Sequence, residues 1–306
     1  MKPGTEEHRV ALHQELSALP LSARRLAAGL LSGLHRSVQR GGSAEFAEHV
    51  EYAAGDDPRN LDWRASARRD RLLIRRFEET THRRAQLLLD ASASMAFQRR
   101  DRPSKLDLAR TVLGALATLL LRQGDAVGVS VLRRDEASDH VPSKSRGAHL
   151  AALLARLDKV TPRGKTDLGR ALDTVGARLP RRSLILLASD LIDDGDRLGA
   201  ALRRLHARGH DLVVVQVLEE DELRFPFVGS RRFRDPETGE VVTSDATAVA
   251  EHYREELQRF LTDCDATCAT ARAERVLLST GEDPGPALVS WLAQRQALAR
   301  RLVAAA

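Results

Sequence analysis

The chain has 306 residues, a net charge of +5, 42% hydrophobic residues and only 4% aromatics. Its core must therefore be built from Leu, Val and Ala, and it is large enough for one α/β domain or two smaller units. The basic runs Arg68-Arg69, Arg75-Arg76, Arg83-Arg84 and Arg231-Arg232 are short and interleaved with acids, which speaks against the clustered basic face of a nucleic-acid-binding protein.

Cys264 and Cys268 are the only cysteines, and their i, i+4 spacing is neither a redox CxxC pair nor half of a zinc site. No secretory leader pattern opens the chain. No apolar run approaches the ~18 residues of a membrane span. The expectation is a soluble, cytoplasmic protein with reduced thiols.

Before residue 85 the pattern is mixed. A helix is predicted over Ser22 to Gln39, followed by Gly41-Gly42 and a strand-like stretch from Phe46 to Tyr52. A turn at Gly55-Asp56-Asp57-Pro58, a short helix and a second strand-like run, Leu72 to Phe77, come next. From about residue 85 short apolar runs alternate with helical stripes. The runs are Gln86 to Leu89, Ala126 to Leu132, Ser183 to Ala188, Leu212 to Val217 and Val276 to Leu278. Most lack polar alternation, as strands covered on both faces do.

Helices are predicted over Lys105 to Gln123, Asp167 to Leu179, Asp196 to Arg208 and Pro286 to Leu302, with Pro180 and Gly209 as stops. This alternation predicts a doubly wound, mainly parallel sheet. Val228 to Arg234 and Glu240 to Thr243 flank the turn Asp235-Pro236-Glu237-Thr238-Gly239. They are expected to join the N-terminal strands in a small antiparallel annex. The division expected is a helix and annex over 1–84, then the main domain over 85–306 with a hairpin insertion at about 220–247.

Asp90-Ala91-Ser92-Ala93-Ser94 follows the first buried strand directly. Alternate spacing brings one carboxylate and two hydroxyls to a tight loop. Thr166, within Gly164-Lys165-Thr166-Asp167, adds a loop hydroxyl, and Ser189-Asp190 ends another buried run. Ligands in doubly wound sheets bind beyond the carboxyl ends of strands, where Asp90 and Asp190 both lie. Hard cations take such oxygen sets. Hydroxyl ligands add no charge, so a bound ion stays electron-poor enough to accept an external carboxylate.

The set resembles the metal-ion-dependent adhesion site of von Willebrand factor A domains. The resemblance implies Ser92, Ser94 and Thr166 as direct ligands of Mg²⁺ (or Mn²⁺), with Asp90 and Asp190 acting through water. It implies an acidic residue of a protein partner at the sixth position. Lys165 departs from the family, which has a small residue there, and an ammonium pointing inward at that position would weaken metal binding.

The flanks are similar to a narrower bacterial family, domain of unknown function 58. Gly55 to Trp63, Ser66-Ala67-Arg68, Phe77-Glu78-Glu79, His35-Arg36-Ser37 and the Asp235–Gly239 turn carry that resemblance over about residues 20–300. It implies a non-enzymatic binding module that works with a MoxR-type AAA+ ATPase. For the Gly55–Trp63 block a scaffolding role is expected, with Asp57 as helix cap and Pro58 at the first helical position. The chain has no GxxxxGK[ST] motif. A haloacid-dehalogenase-like, Mg²⁺-dependent phosphatase is the alternative. It requires a second Asp two positions after Asp90, where Ser92 stands.

Overall fold

The predicted buried runs become the strands of one six-stranded sheet. The computed structural model describes residues 21–40, 49–51, 66, 73–75, 84–99, 101–133, 140–145, 149–193 and 195–304. In chain order the elements are α1 (Leu21–Arg40), β1 (His49–Glu51), β2 (Leu73–Arg75), β3 (Arg84–Asp90), α2 (Lys105–Arg122), β4 (Ala126–Leu132), β5 (His140–Lys144), α3 (His149–Asp158), α4 (Leu168–Arg178), β6 (Leu184–Ser189) and α5 (Gly195–Ala207). They continue with β7 (Asp211–Leu218), α6 (Glu220–Arg224), β8 (Ser230–Arg234), β9 (Val241–Asp245), α7 (Ala246–Thr270), β10 (Glu274–Ser279) and α8 (Pro284–Ala304).

The main sheet runs β10-β7-β6-β3-β4-β5, and every pairing is parallel except that of edge strand β5. The chain leaves β3 toward β4 on one side and later returns to β6 on the other. The strand order therefore reverses between β3 and β6, and a crevice opens at the carboxyl ends there.

Both faces of the sheet are covered. Because side chains alternate along a strand, Leu87 and Leu89 of β3 join a core with α1, α2, α3 and α8. Leu88 joins the opposite core with α4, α5 and α7. Ala23, Leu26, Ala27 and Leu30 of α1 share the first core, and the N-terminal helix packs there against α2 and α8. Cys264 and Cys268 lie on α7 as buried free thiols, and burial pushes both above the usual thiol range.

The antiparallel strands outside the sheet form two separate two-stranded pairs among the described residues, β1 with β2 and β8 with β9. Among the described residues the two pairs do not join into a single annex. The hairpin turn is built as its sequence predicts. Asp235 accepts from the Glu237 backbone at 2.8 Å and from the Thr238 hydroxyl at 2.7 Å, and Gly239 takes φ 76°. The Gly55–Trp63 block, Gly41-Gly42 and Phe77-Glu78-Glu79 lie outside the described residues.

Strand β5 and helix α3 were not among the predicted elements. A polar relay pins β5: buried Gln86 donates to the Ser130 hydroxyl at 2.9 Å, which lies 2.9 Å from Nδ1 of the exposed His140. Gly128 lets that edge approach. A Cβ there would meet Gln86 Oε1 and come within 2.7 Å of the Val141 carbonyl oxygen.

Candidate functional site

All five predicted residues converge at the reversal point. Asp90 ends β3, and Asp190 follows β6 directly. The Asp90–Ser94 loop is clamped to the Thr166 loop by two backbone bonds, Ala93 N–H to Gly164 O at 2.7 Å and Arg163 N–H to Ala91 O at 2.9 Å. Gly164 supplies the left-handed turn between them, at φ 64°. Asp167 does not face the site. It caps α4 by accepting from Arg170 N at 2.8 Å. Asp193, past β6, accepts from Leu168 N at 2.5 Å, which ties the third loop to the same helix start.

The site lies deeper than a surface loop. Asp90, Ser92, Ser94, Thr166 and Asp190 are each at most 5% exposed. Asp90 accepts from Ser92 N at 2.9 Å and from the Ser189 hydroxyl at 2.7 Å. The Ser92 and Ser94 hydroxyls lie 2.9 Å apart. The Thr166 hydroxyl is buried with no hydrogen-bond partner of normal geometry, although it is close enough to Asp90 to favour that carboxylate. Burial, and then the charge of Asp190, raise the Asp90 carboxyl from its usual 3.8 to about 6.

Two features were not legible in the sequence. Ser189 is the donor that orients Asp90. Its hydroxyl also accepts from Leu191 N at 3.0 Å, and Leu191 takes a positive φ of 62°. Strain of that kind in a non-glycine residue gathers at functional sites. The second feature is Lys105, the first residue of α2. Its ammonium lies 2.8 Å from Asp190 Oδ2 and 2.9 Å from Glu222 Oε1. Burial opposes the ammonium, but Asp190 and Glu222 outweigh it, and the lysine is held above its ordinary value. Lys165, the residue expected to interfere, is exposed on the rim.

A cleft of about 480 Å³ opens over the site. Ser94, Lys105 and Glu222 lie along it, with Lys165 and Ile192 at its edge and the hairpin turn residues Asp235 and Glu237 opposite. Ile192 is 47% exposed, an apolar contact point beside the polar centre. Burial raises the Glu237 carboxyl, and Lys165 opposes that shift. Stacked rings of Phe225 and Tyr253, with Phe233 against Phe225, hold the hairpin to the body of the protein.

The oxygen set fits a hard divalent cation. A buried hydroxyl without a partner of normal geometry and the Asp90 carboxylate, raised by burial and by the facing Asp190, are the groups such an ion would satisfy. Among the described residues no cluster of three or more His, Cys, Asp or Glu side chains is arranged for a metal.

The sheet order, with helices on both faces, is that of a von Willebrand factor A-like α/β domain. The chain belongs to the family described as protein of unknown function DUF58, whose model matches residues 48–264. It is 26% identical over 271 residues to the uncharacterised protein Rv1480 of Mycobacterium tuberculosis, covering 85% of this chain and 84% of that one. Among solved structures it is similar to the conserved hypothetical protein BatB of Bacteroides thetaiotaomicron, at 15% identity and a TM-score of 0.44 over 70% of this chain and 99% of that one. It is also similar to the SpRpn10 VWA domain, at 11% identity and a TM-score of 0.39 over 68% and 94%. Among the described residues no helix is long and apolar enough to cross a membrane.

Proposed function

We propose that this chain is a non-enzymatic, cytoplasmic protein-binding module that holds one Mg²⁺ or Mn²⁺ at the strand ends and receives an acidic residue of a partner there. The observation that carries the reading is the Thr166 hydroxyl, buried beside Asp90 with no hydrogen-bond partner of normal geometry. An unsatisfied buried hydroxyl costs about 1–3 kcal/mol, so it needs a reason to be there. By the family resemblance, Ser92, Ser94 and Thr166 ligate the ion directly and Asp90 and Asp190 act through water. The ion supplies an electron-poor position for a carboxylate. The hydroxyls keep that charge undiminished, and the clamped loops fix their positions.

The proposed partner is a MoxR-type AAA+ ATPase, which rests on the family resemblance. No reaction is assigned to this chain. The phosphatase alternative is disfavoured because Ser92, paired with Ser94, stands where a general acid would be required.

The test is co-purification of such an ATPase with wild type, with Thr166→Ala and with wild type in EDTA. Retention by metal-loaded wild type alone supports the reading. Equal retention in all three removes the cation as the bridge and moves the contact to the hairpin or another face.

A further inference from the structure

We infer that Lys105 is a tethered cation built into the site, one that holds Asp190 in the metal-free protein and competes with the divalent ion for it. The inference rests on the cation reading above and adds what sets the affinity of the site.

The placement of this lysine is unusual in three respects. It is fully buried, where an ammonium is costly unless paired. It opens a helix, at the end where the peptide dipoles disfavour positive charge. It spans two distant parts of the chain, reaching Asp190 beyond β6 and Glu222 on α6.

Both partners are fixed from elsewhere. Asp190 Oδ1 accepts from Ile192 N at 3.2 Å, which leaves Oδ2 to Lys105. Glu222 completes a capping box by accepting from Glu219 N at 2.7 Å, and Tyr253 donates to the Glu222 carbonyl at 2.9 Å. The ammonium is therefore seated by geometry rather than drifting in from solvent.

The consequence is electrostatic. One ammonium is shared by Asp190 and Glu222, so it offsets only part of the negative charge gathered there, and it occupies Asp190 Oδ2. A divalent cation must share Asp190 with a nearby positive charge that repels it. The site is thus poised for weak, reversible loading, and the loops stay assembled without the ion.

The experiment titrates Mn²⁺ alone into wild type, Lys105→Gln and Lys105→Met by calorimetry, with melting temperatures recorded with and without Mn²⁺. Gln keeps a hydrogen-bonding end and Met keeps the volume, and neither carries charge. Both variants should bind Mn²⁺ about tenfold or more tightly than wild type and show a larger Mn²⁺-dependent rise in melting temperature. A variant that folds only with Mn²⁺ supports the inference equally, because the ion has replaced the ammonium.

If wild type binds Mn²⁺ and neither variant binds it more tightly, the inference is overturned and the cation site stands. If none of the three binds Mn²⁺, both readings fall. Variants that stay unfolded at millimolar Mn²⁺ also count against the inference, since the ion then cannot take the place of the lysine.

Discussion

Asp90→Asn should stabilise the metal-free protein at neutral pH, although it alters a residue at the centre of the site. Burial and the facing Asp190 raise the Asp90 carboxyl from 3.8 to about 6. In that window the native protein holds a proton that the unfolded chain has released. Stability is therefore lost as pH rises from about 4 to 6, and the loss is complete above it. The full penalty is about 3 kcal/mol, of which about 1 is already present at pH ~4.5. Asparagine removes the charge and keeps the shape. Its carbonyl can still accept from Ser92 N, and its amide can donate to the Ser189 hydroxyl in place of the bond now running the other way. The assay is urea unfolding of wild type and Asp90→Asn in EDTA at pH ~4.5 and ~7.5, where the advantage of the variant should grow by about 2 kcal/mol. Taking the difference between the two pH values cancels any fixed cost of the altered hydrogen bonds. An advantage that stays constant or shrinks toward neutral pH would refute the account of a carboxyl raised by burial and by Asp190.

The same reasoning predicts that Mg²⁺ or Mn²⁺ raises the melting temperature of wild type, and more at neutral than at acid pH, by ligand linkage; an unchanged or higher melt in EDTA would contradict it. Thr166→Val should abolish that metal-dependent rise while leaving metal-free stability unchanged or higher, because it replaces an unsatisfied buried hydroxyl with a methyl group; a loss beyond about 1 kcal/mol in EDTA would show that the hydroxyl is satisfied. Gly128→Ala should cost about 1–3 kcal/mol through overpacking, since its Cβ would come within 2.7 Å of the Val141 carbonyl oxygen and 2.9 Å of Ser143 N; near-neutral unfolding curves would mean that edge strand β5 shifts freely.

The parallel sheet was readable because its strands carry no polar alternation and its helices carry broad apolar stripes with clear stops. Predicted helix ends fall within two residues of those of α2, α4, α5 and α8. What was missed has a physical reason. Strand β5 carries Pro142, is half exposed and alternates only weakly, because as an edge strand it buries little of itself. Helix α3, with Leu150, Leu153, Leu154 and Leu157 buried, has a good stripe, but it follows β5 so closely that the strand–helix rhythm was lost. The two antiparallel pairs each have local turn signals. Nothing local says whether two antiparallel pairs join one another, and among the described residues they stay separate.

The candidate site divides along the same line between local and distant information. Asp90, Ser92 and Ser94 are two residues apart, and spacing alone places them on one loop. Asp190 is legible because strand ends are where such folds gather ligands, and Thr166 because it stands in a loop directly before a helix. Lys105 was invisible by the same logic. It meets Asp190 and Glu222 across 85 and 117 residues, and in the sequence it is only the first residue of an amphipathic helix. Lys165, adjacent to Thr166 in the chain, is the conspicuous ammonium in the sequence, but it is exposed beyond the turn at Gly164. An ammonium in the site therefore comes from the other side, from the helix that follows the first loop. A site whose second carboxylate is already paired does not need the ion to assemble. Chelation should then release a partner held through the metal while the loops stay folded, whereas removing Lys105 should make the fold itself depend on the ion.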